Sequence, residues 1–345
     1  MDYTKPIDIS SIDLAYTIYK DQLKGLEMLS ANEVLKHMSM MIGVQNSVVL
    51  RTVEEGNISK KYDGTFTGDK KIGTVVERTL TVGVIVAEMS DEPERYRKTY
   101  IANVAAGLWP KKHPFEMWLI QYGVDLASQE LHDAIFQAEL GSGTDILGSF
   151  DGINHIIDDE VTLGNISAGN KNLYATGTMS SSDCGDKLLA MWRSAHPVFR
   201  SKGGMMIISE DLGDIYDDWY KTEHDAPPSV DVAGQTYLEG SNKKCVLIRT
   251  SSQPENSQRT ILTQKRNLYY GVDKLSDMKN MKGFNSGNPY LYTAAMKYVF
   301  GVQFESINWR RLIVNDQPAT PESESGSGSE SGSGSGSGSG SASGS

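Results

Sequence analysis

The sequence predicts an α+β protein whose core is accompanied by an extended hairpin. Three observations predict this class. Apolar and polar residues alternate at Leu80–Val86 and at Met296–Phe304, as they do in half-buried strands. One long helical pattern covers residues 114–140. A polar, glycine-rich segment, Glu55–Gly73, separates two strand-like stretches.

Composition limits the classes of protein that the chain can belong to. Residues 322–345 are only Gly, Ser, Glu and one Ala, so this tail should be flexible coil, either natural or an engineered linker. The net charge is −11, and without the three glutamates of the tail it is about −8. This acidity disfavours tight binding to a DNA backbone, although it allows weak contact with DNA inside a container.

The cysteines and the apolar runs predict neither a disulfide framework nor a membrane-spanning segment. Two cysteines, Cys184 and Cys245, make no disulfide framework and fit a reducing cytosol. The N-terminus has no basic region followed by an apolar run, so we expect no signal peptide. Apolar runs such as Met205–Ile208 are too short to cross a bilayer.

The N-terminal 45 residues predict two helices and an arm. Apolar residues recur at helical spacing over 11–29, and a second helix is predicted from Ser30, with Glu33 at capping-box spacing, through Met41. These helices either pack on their own core or form an arm that packs on a neighbouring copy.

The hairpin follows the arm. Val48–Glu54 and Thr74–Ala87 are predicted strands, and the polar segment between them offers little to bury against its own domain. Two interpretations remain open: a hairpin that lies on another copy of the chain, or a flexible insertion.

The clearest helix is predicted over 114–140. Pro114 occupies a typical first helical position and Gly141 lies just past the end. At about 1.5 Å per residue the helix would be roughly 40 Å long. A glycine-rich loop is predicted for the residues after it, 141–170.

A second α+β unit is predicted over about 180–289, and two strands end the fold. The predicted elements after the loop are the strand Leu173–Thr176, a helix capped by Ser182 or Asp183, the buried strand Met205–Ile208, a helix capped by Ser209, the strands Val246–Arg249 and Thr260–Thr263, and the final strands Met296–Phe304 and Leu312–Val314.

The chain lacks the motifs of common enzymes. It has no phosphate-binding loop, no His-Glu-x-x-His, no Cys-x-x-Cys and no nucleophile elbow, and its six histidines have no ligand spacing. The Gly-Ser-Gly-Thr run at 141–144 is interpreted as a helix end and loop. We therefore predict no catalytic residue, no cofactor and no metal.

Two acidic clusters keep one enzymatic alternative open, a metal-dependent hydrolase. Asp158–Glu160 is typical of a solvated turn, and the set Asp211, Asp214, Asp217 and Asp218 lacks the glycine and the closing glutamate of a calcium loop. The hydrolase alternative predicts a deep pocket at one of these clusters.

The order of these elements resembles the major capsid protein family of tailed phages, whose Hong-Kong-97-like fold is shared with encapsulins. The resemblance covers nearly the whole body. It is carried by the glycine-rich Thr144–Asn154 after the long helix, by the strand and helix of Gly203–Trp219, and by Arg266–Asp273 with its asparagine and Gly-x-Asp strand end.

The resemblance implies a division of the chain into the named parts of that fold. These are an N-terminal arm (1–45), an E-loop hairpin (46–88), a P domain (89–178) with a spine helix (114–140), an A domain (179–289), a return to the P domain (290–316) and a disordered tail (317–345). An arm of 45 residues is shorter than the fused scaffolding segment of many relatives, so a separate scaffold or none is expected.

The resemblance also implies a function. The chain would be a structural protein that self-assembles into pentamers and hexamers of an icosahedral phage head, is assembled in the bacterial cytoplasm and resides in the virion. It would enclose double-stranded DNA without sequence-specific binding and without a membrane. Its partners would be other copies of itself, with portal, scaffold and decoration proteins as further candidates. An encapsulin-like compartment shell is the alternative within this fold.

The hairpin lysines are the candidate assembly residues. We expect Lys60, Lys61, Lys70 and Lys71 to meet acidic residues of a neighbouring copy. Some relatives crosslink a lysine of this loop to an asparagine. Asn308 or Asn315 would supply the residue type, although a solvated or ion-paired lysine is the favoured interpretation.

Overall fold

A computed structural model of the chain describes part of its 345 residues. The described residues are 34–56, 58–59, 61, 64, 68, 71–105, 115–228, 230–231, 234–274, 282–284 and 291–320. The predicted helix over 11–29, the tail, Lys60 and Lys70 lie outside them.

A five-stranded sheet is organised by the long strand β12 (Tyr292–Phe304). Strand β4 (Gly83–Asp91) pairs antiparallel with β12 from Tyr292 opposite Asp91 to Phe300 opposite Gly83. The opposite edge of β12 holds β11 (Lys282–Phe284), and the C-terminal part of β12 pairs with β10 (Leu268–Val272). Strand β1 (Ser39–Ile42) joins β10 in parallel.

A six-stranded sheet forms a second layer in the order β5-β13-β9-β6-β8-β7. Its strands are β5 (Leu173–Tyr174), β6 (Gly204–Ser209), β7 (Thr236–Tyr237), β8 (Cys245–Thr250), β9 (Ile261–Thr263) and β13 (Leu312–Asn315). β6 and β8 are parallel, as expected for strands joined through a helix, and β9 is antiparallel to both β6 and β13.

Six α-helices accompany the sheets in the described part of the chain. They are α1 (Arg97–Ala105), α2 (Phe115–Gln137), α3 (Ile153–Thr162), α4 (Cys184–Ser194), α5 (Pro197–Lys202) and α6 (Glu210–His224). Short 3₁₀ turns occur at Leu35–His37, Pro93–Tyr96 and Ile146–Gly148. α2 is the predicted spine helix and, with 23 residues, is about 35 Å long.

The six-stranded sheet separates two hydrophobic cores. All six residues of β6 are buried, and their side chains alternate between the cores. Met205 and Ile207 belong to the core that contains α2, α3 and the five-stranded sheet. Met206 and Ile208 belong to the core that contains α4 and α6. A strand covered on both faces reads as a continuous apolar run, which is why Met205–Ile208 was predicted as buried.

The strands β2 (Ser47–Glu55) and β3 (Gly73–Thr81) form a separate antiparallel hairpin. The predicted strand 74–87 is therefore two strands, β3 and β4, which meet at Val82. β3 pairs with β2, whereas β4 pairs with β12.

Two predictions about local structure are wrong. The second predicted helix, up to Met41, is replaced by the turn at Leu35–His37 and by β1, because residues 39–42 pair with β10, far away in sequence. The predicted loop 141–170 contains α3, whose Ile153, Ile156 and Ile157 are buried. The glycines flanking this helix hide its isoleucine spacing. The predicted strands at 205–208, 246–249, 296–304 and 312–314, and the Ser209 cap, are confirmed, since the Ser209 hydroxyl accepts from the Leu212 N–H at 3.1 Å.

Candidate assembly surface

The β2–β3 hairpin has one covered face and one open face. Leu50 lies opposite Arg78 on one face of the hairpin, and Val53 lies opposite Val75 on the other face. Every second pair along the hairpin points to the same face. On the inner face, Leu50, Thr52 and Leu80 are buried. The exposed residues of the outer face are Val49, Arg51, Val53, Val75, Glu77 and Thr79.

A nearly buried ion pair fixes the inner face to the body. The Arg78 guanidinium lies 2.8 Å from a carboxylate oxygen of Glu160 in α3, and the two side chains are 11% and 14% exposed. Arg78 also donates to the Gln303 side chain of β12 at 3.0 Å, and Gln303 donates back to the Thr79 carbonyl at 3.1 Å. The hairpin base therefore has a defined position relative to both α3 and the five-stranded sheet.

Two paired glycines of the five-stranded sheet make room for the junction between β3 and β4 at Thr81 and Val82. Gly271 of β10 lies directly opposite Gly301 of β12. A Cβ at Gly301 would lie 2.3 Å from the Thr81 carbonyl oxygen, and one at Gly271 would lie 2.9 Å from the Val82 side chain. Glycine at both positions is required for the close approach of the β3–β4 junction.

The outer face of the hairpin exposes apolar side chains around one surface ion pair. Val49, Val53 and Val75 are 46%, 54% and 56% exposed. Between them Arg51 and Glu77 form an exposed pair at 2.8 Å. A solvated sheet face normally carries polar residues, so three half-exposed valines on a two-stranded ribbon are typical of a surface that another molecule covers.

The tip of the hairpin carries the predicted assembly lysines. Lys61 and Lys71 are exposed, and Lys60 and Lys70 lie outside the described residues. Ile58 and Ile72, near these lysines, are 61% and 81% exposed. The described part of the tip thus combines positive charge with apolar surface.

A groove with an acidic lining lies between strand β4 and helix α2. Its volume is about 960 Å³. Its apolar lining comes from both elements: β4 contributes Ile85, Ala87 and Met89, and α2 contributes Leu119 and Leu126. The lining includes the carboxylates Glu88, Asp91, Glu130, Asp133 and Asp145, and none of the described residues that line the groove is a lysine or arginine. The buried Tyr298 hydroxyl also lines it, and burial followed by the nearby Glu130 charge raises the pKa of this tyrosine.

Asp91, on the rim of this groove, is held in its charged form. The Tyr96 hydroxyl donates to the Asp91 carboxylate, which also accepts from the Glu92 N–H. These two hydrogen bonds lower the pKa of Asp91, and the bond to Asp91 raises the pKa of Tyr96.

The two acidic clusters proposed for a hydrolase are used in structural ion pairs. Asp158 and Glu160 lie on α3 and not in a solvated turn. Asp158 lies 2.7 Å from Arg259, and Glu160 binds Arg78. In the second cluster, Asp217 binds Arg249 and Asp214 lies 3.8 Å from it. Neither cluster lines the groove, and the described residues contain no group of three His, Cys, Asp or Glu side chains arranged to hold a metal ion.

The remaining sequence candidates are structural. Asn315 is buried and donates to the Gln258 carbonyl at 2.8 Å, which occupies the amide that a crosslink would need. Cys184 and Cys245 are free and buried in the same core, and burial raises the pKa of Cys184 to about 12. No helix in the described ranges is long and apolar enough to cross a membrane.

Sequence reasoning missed the features that position the hairpin. Arg78, Glu160 and Gln303 come from three distant parts of the chain, and no local pattern connects them. The paired glycines could have been noticed in Tyr-Tyr-Gly-Val and Val-Phe-Gly-Val, because glycine inside a strand pattern often marks a close backbone approach.

Comparison with known proteins rests on structure. No protein-family model and no curated protein matches the sequence. Three solved capsid structures superpose on this chain. They are the capsid asymmetric unit of cyanophage A-1(L) (TM-score 0.54, 11% identity, 85% of this chain and 93% of that chain), the capsid of an empty GTA particle (0.53, 12%, 84% and 91%) and the satellite phage P4 procapsid with its size determination protein (0.52, 10%, 86% and 98%).

The likeness extends over most of each chain at very low identity, and at such identities it establishes the fold alone. The fold is the Hong-Kong-97-like capsid fold that the sequence predicted.

Proposed function

We propose that this chain is the major capsid protein of a tailed double-stranded DNA phage, a structural protein that self-assembles into pentamers and hexamers of an icosahedral head. The protein would be located in the capsid of the virion. The fold shared with three capsid subunits supports the proposal. The single observation that carries it is the hairpin, whose inner face is fixed to the body while its outer face leaves three valines half-exposed.

Shell formation needs contacts between different patches on successive copies, because head-to-tail contacts close into rings. The hairpin supplies one such patch. A neighbouring copy that covers Val49, Val53 and Val75 would remove apolar surface from water at about 25 cal/mol per Å². The fixed base favours assembly further, because a surface that is already positioned loses less entropy on binding.

The hairpin lysines would meet carboxylates of that neighbour. The groove beside α2 offers a surface of matching chemistry, since it combines apolar β4 and α2 side chains with five carboxylates. The hairpin tip is complementary to it, because Lys61 and Lys71 supply positive charge and Ile58 and Ile72 supply exposed apolar surface. We assign Lys60 and Lys70 to the same contact from their sequence positions.

The charge of the chain fits a container for DNA better than a DNA-binding protein. A net charge of −11 opposes strong attraction to phosphates, so the genome would be enclosed without sequence-specific binding. A structural role also fits the ion-paired state of the acidic clusters.

Electron microscopy of the purified full chain tests the proposal. Hollow particles of uniform size are expected. In a variant in which residues 55–73 are replaced by Asn-Gly, a two-residue turn should connect Glu54 to Thr74, which are directly opposite in the hairpin. This variant should fold with a cooperative thermal transition and form no particles. Particles of normal size from it would contradict a role of the hairpin tip in assembly.

Charge variants separate the lysine contact from the rest of the hairpin. Reversal of Lys60, Lys61, Lys70 and Lys71 to glutamate should prevent assembly, whereas replacement by arginine should preserve it. Equal assembly of both variants would disprove the lysine contact. Particles that enclose a protein cargo instead of DNA when isolated from the native source would favour the encapsulin-like alternative.

A further inference from the structure

The six-stranded sheet has two ends of opposite charge. β6, β8 and β13 all start at one end, and β9 finishes there, because Gly204 pairs with Cys245, Met205 with Thr263, and Thr263 with Leu312. The turns at this end carry exposed cations from four segments of the chain. We call these residues the basic end: Lys171, Lys202, Lys243, Lys244, Lys265 and Arg266.

The opposite end of the same sheet is acidic. β6 and β13 finish there, followed by the start of α6 and by Asp316, and the β8–β9 turn lies beside the start of α6 because the Asn256 N–H donates to the Asp211 carboxylate. Exposed carboxylates accumulate on these turns. We call them the acidic end: Glu210, Asp211, Glu255 and Asp316.

The basic end keeps its charge available. No ion pair between described residues involves any of its six cations, although Lys171 lies over the Trp309 ring at 5.2 Å. Among the described residues, Glu239 is exposed at this end, and Glu305 is bound by Arg311 at 2.6 Å. The C-terminal end of α6, with the exposed Glu223 and Asp225, also points towards this end, because the Tyr216 hydroxyl accepts from the Glu239 N–H. The six cations outnumber these carboxylates.

The backbone at the basic end is unusual. Among described residues, six other than glycine have positive φ, and three of these are Asp or Asn, which tolerate that region. The other three are Lys171, Lys243 and Arg266, with φ of 61°, 57° and 69°. All three belong to the basic end. Long cationic side chains at positions that favour glycine or asparagine are expected where the charge itself has a use.

We infer that the basic end of one copy docks against the acidic end of a second copy. The inference rests on the proposed shell function and adds a contact that the hairpin does not make. Both surfaces are present on one chain and lie at opposite ends of one rigid sheet, so the contact is head-to-tail and can close into a ring. A DNA backbone is the less favoured occupant because the chain as a whole repels phosphates.

Charge reversal with rescue tests the contact on the full-length protein. K243E/K244E reverses the basic end, E210K/E255K reverses the acidic end, and the variant with all four substitutions exchanges both. K36E/K98E is the matched control, since it changes the same charge at exposed lysines elsewhere. Thermal melts verify that each variant folds, and light scattering with negative-stain microscopy gives the concentration at which particles form.

Each variant with two substitutions should raise the concentration needed for assembly roughly ten-fold or more, because like charges would then face each other. The variant with all four substitutions should return to within about three-fold of the wild type, and the control should not change.

Three results would overturn the inference. Assembly of both reversed variants at the wild-type concentration would show that these ends do not meet, and it would leave the hairpin proposal intact. Failure of the variant with all four substitutions to recover would show that they do not face each other. Binding of double-stranded DNA that K243E/K244E abolishes, without rescue of assembly, would assign the basic end to nucleic acid. Absence of wild-type particles would instead refute the shell function itself.

Discussion

The six-stranded sheet and the β2–β3 hairpin use similar residues for different purposes. Strand β6 has Met205, Met206, Ile207 and Ile208, all fully buried between two cores. The hairpin has Val49, Val53 and Val75, all about half exposed, on strands whose other face is covered. The difference lies in what covers the second face: the chain's own helices cover it in the sheet, and nothing described in this chain covers it in the hairpin.

Under the proposed shell function, this difference assigns stability to the sheet and assembly to the outer face of the hairpin. Apolar surface buried within one copy stabilises the fold, whereas apolar surface left open can only be buried by another molecule. Substitutions in the sheet should therefore lower the free energy of unfolding, and substitutions on the outer face of the hairpin should mainly affect assembly.

The largest effect on stability is expected in the sheet core. Ile207→Ala should lower the free energy of unfolding by about 2–5 kcal/mol, because it removes buried methylene groups and leaves a cavity. Val53→Ala, on the outer face of the hairpin, should change it by no more than about 0.5 kcal/mol and should weaken assembly. Urea denaturation of unassembled protein measures both. A comparable loss of stability in the two variants would remove the distinction between the regions.

The two faces of the hairpin should differ in the same way. Arg78→Ala removes the cationic partner of the nearly buried Glu160, whose carboxylate then keeps a 2.7 Å hydrogen bond from the Asn165 amide, and should cost about 2–3 kcal/mol. Arg51→Ala breaks an ion pair whose side chains are 69% and 52% exposed, and should cost at most about 0.5 kcal/mol. Denaturation midpoints compare them directly. Equal midpoints would mean that the inner face does not fix the hairpin.

The junction between hairpin and sheet should tolerate no side chain. Gly301→Ala places a Cβ against the Thr81 carbonyl and should cost about 1–3 kcal/mol. Gly143→Ala is the control, since its nearest neighbouring atom would be 4.0 Å away, and it should change stability by at most about 0.5 kcal/mol. Hydrogen exchange at β3 amides should increase only in the first variant. Unchanged exchange would show that the junction can move without loss.

The elements that sequence predicted are those whose signals are local. α2 has a long helical pattern, β12 alternates over many residues, and Ser209 caps α6 with its own hydroxyl. The capsid fold followed from the order of such elements, and the hairpin from its polar, glycine-rich tip.

The elements that sequence missed depend on distant partners. β1 is a strand because β10 pairs with it, and α3 is bounded by glycines that suggest a loop. At the assembly surface, the lysines were visible in the sequence, whereas the Arg78–Glu160 pair and the basic end were not. Both of the latter arise only when strands far apart in sequence become neighbours.

The smallest expected effect concerns the pH dependence of the sheet and is independent of the hairpin. The Lys187 ammonium, 2.7 Å away, and the Ser180 N–H lower the pKa of Asp183 from 3.8 to about 2. Since the folded pKa lies below the unfolded value, the stabilisation is complete above the unfolded pKa and is lost as pH falls from about 5 to about 1. The pair is partly exposed, so it contributes no more than about 1 kcal/mol. Asp183→Asn should therefore be less stable than the parent at pH 6 and equally stable near pH 1. Because Asp183 belongs to the sheet region, the same convergence is expected in the chain with residues 55–73 replaced, and denaturation of that chain measures it without interference from assembly. A difference between the Asp183→Asn variant and its parent that persists unchanged near pH 1 would show that the charge of Asp183 does not stabilise the start of α4.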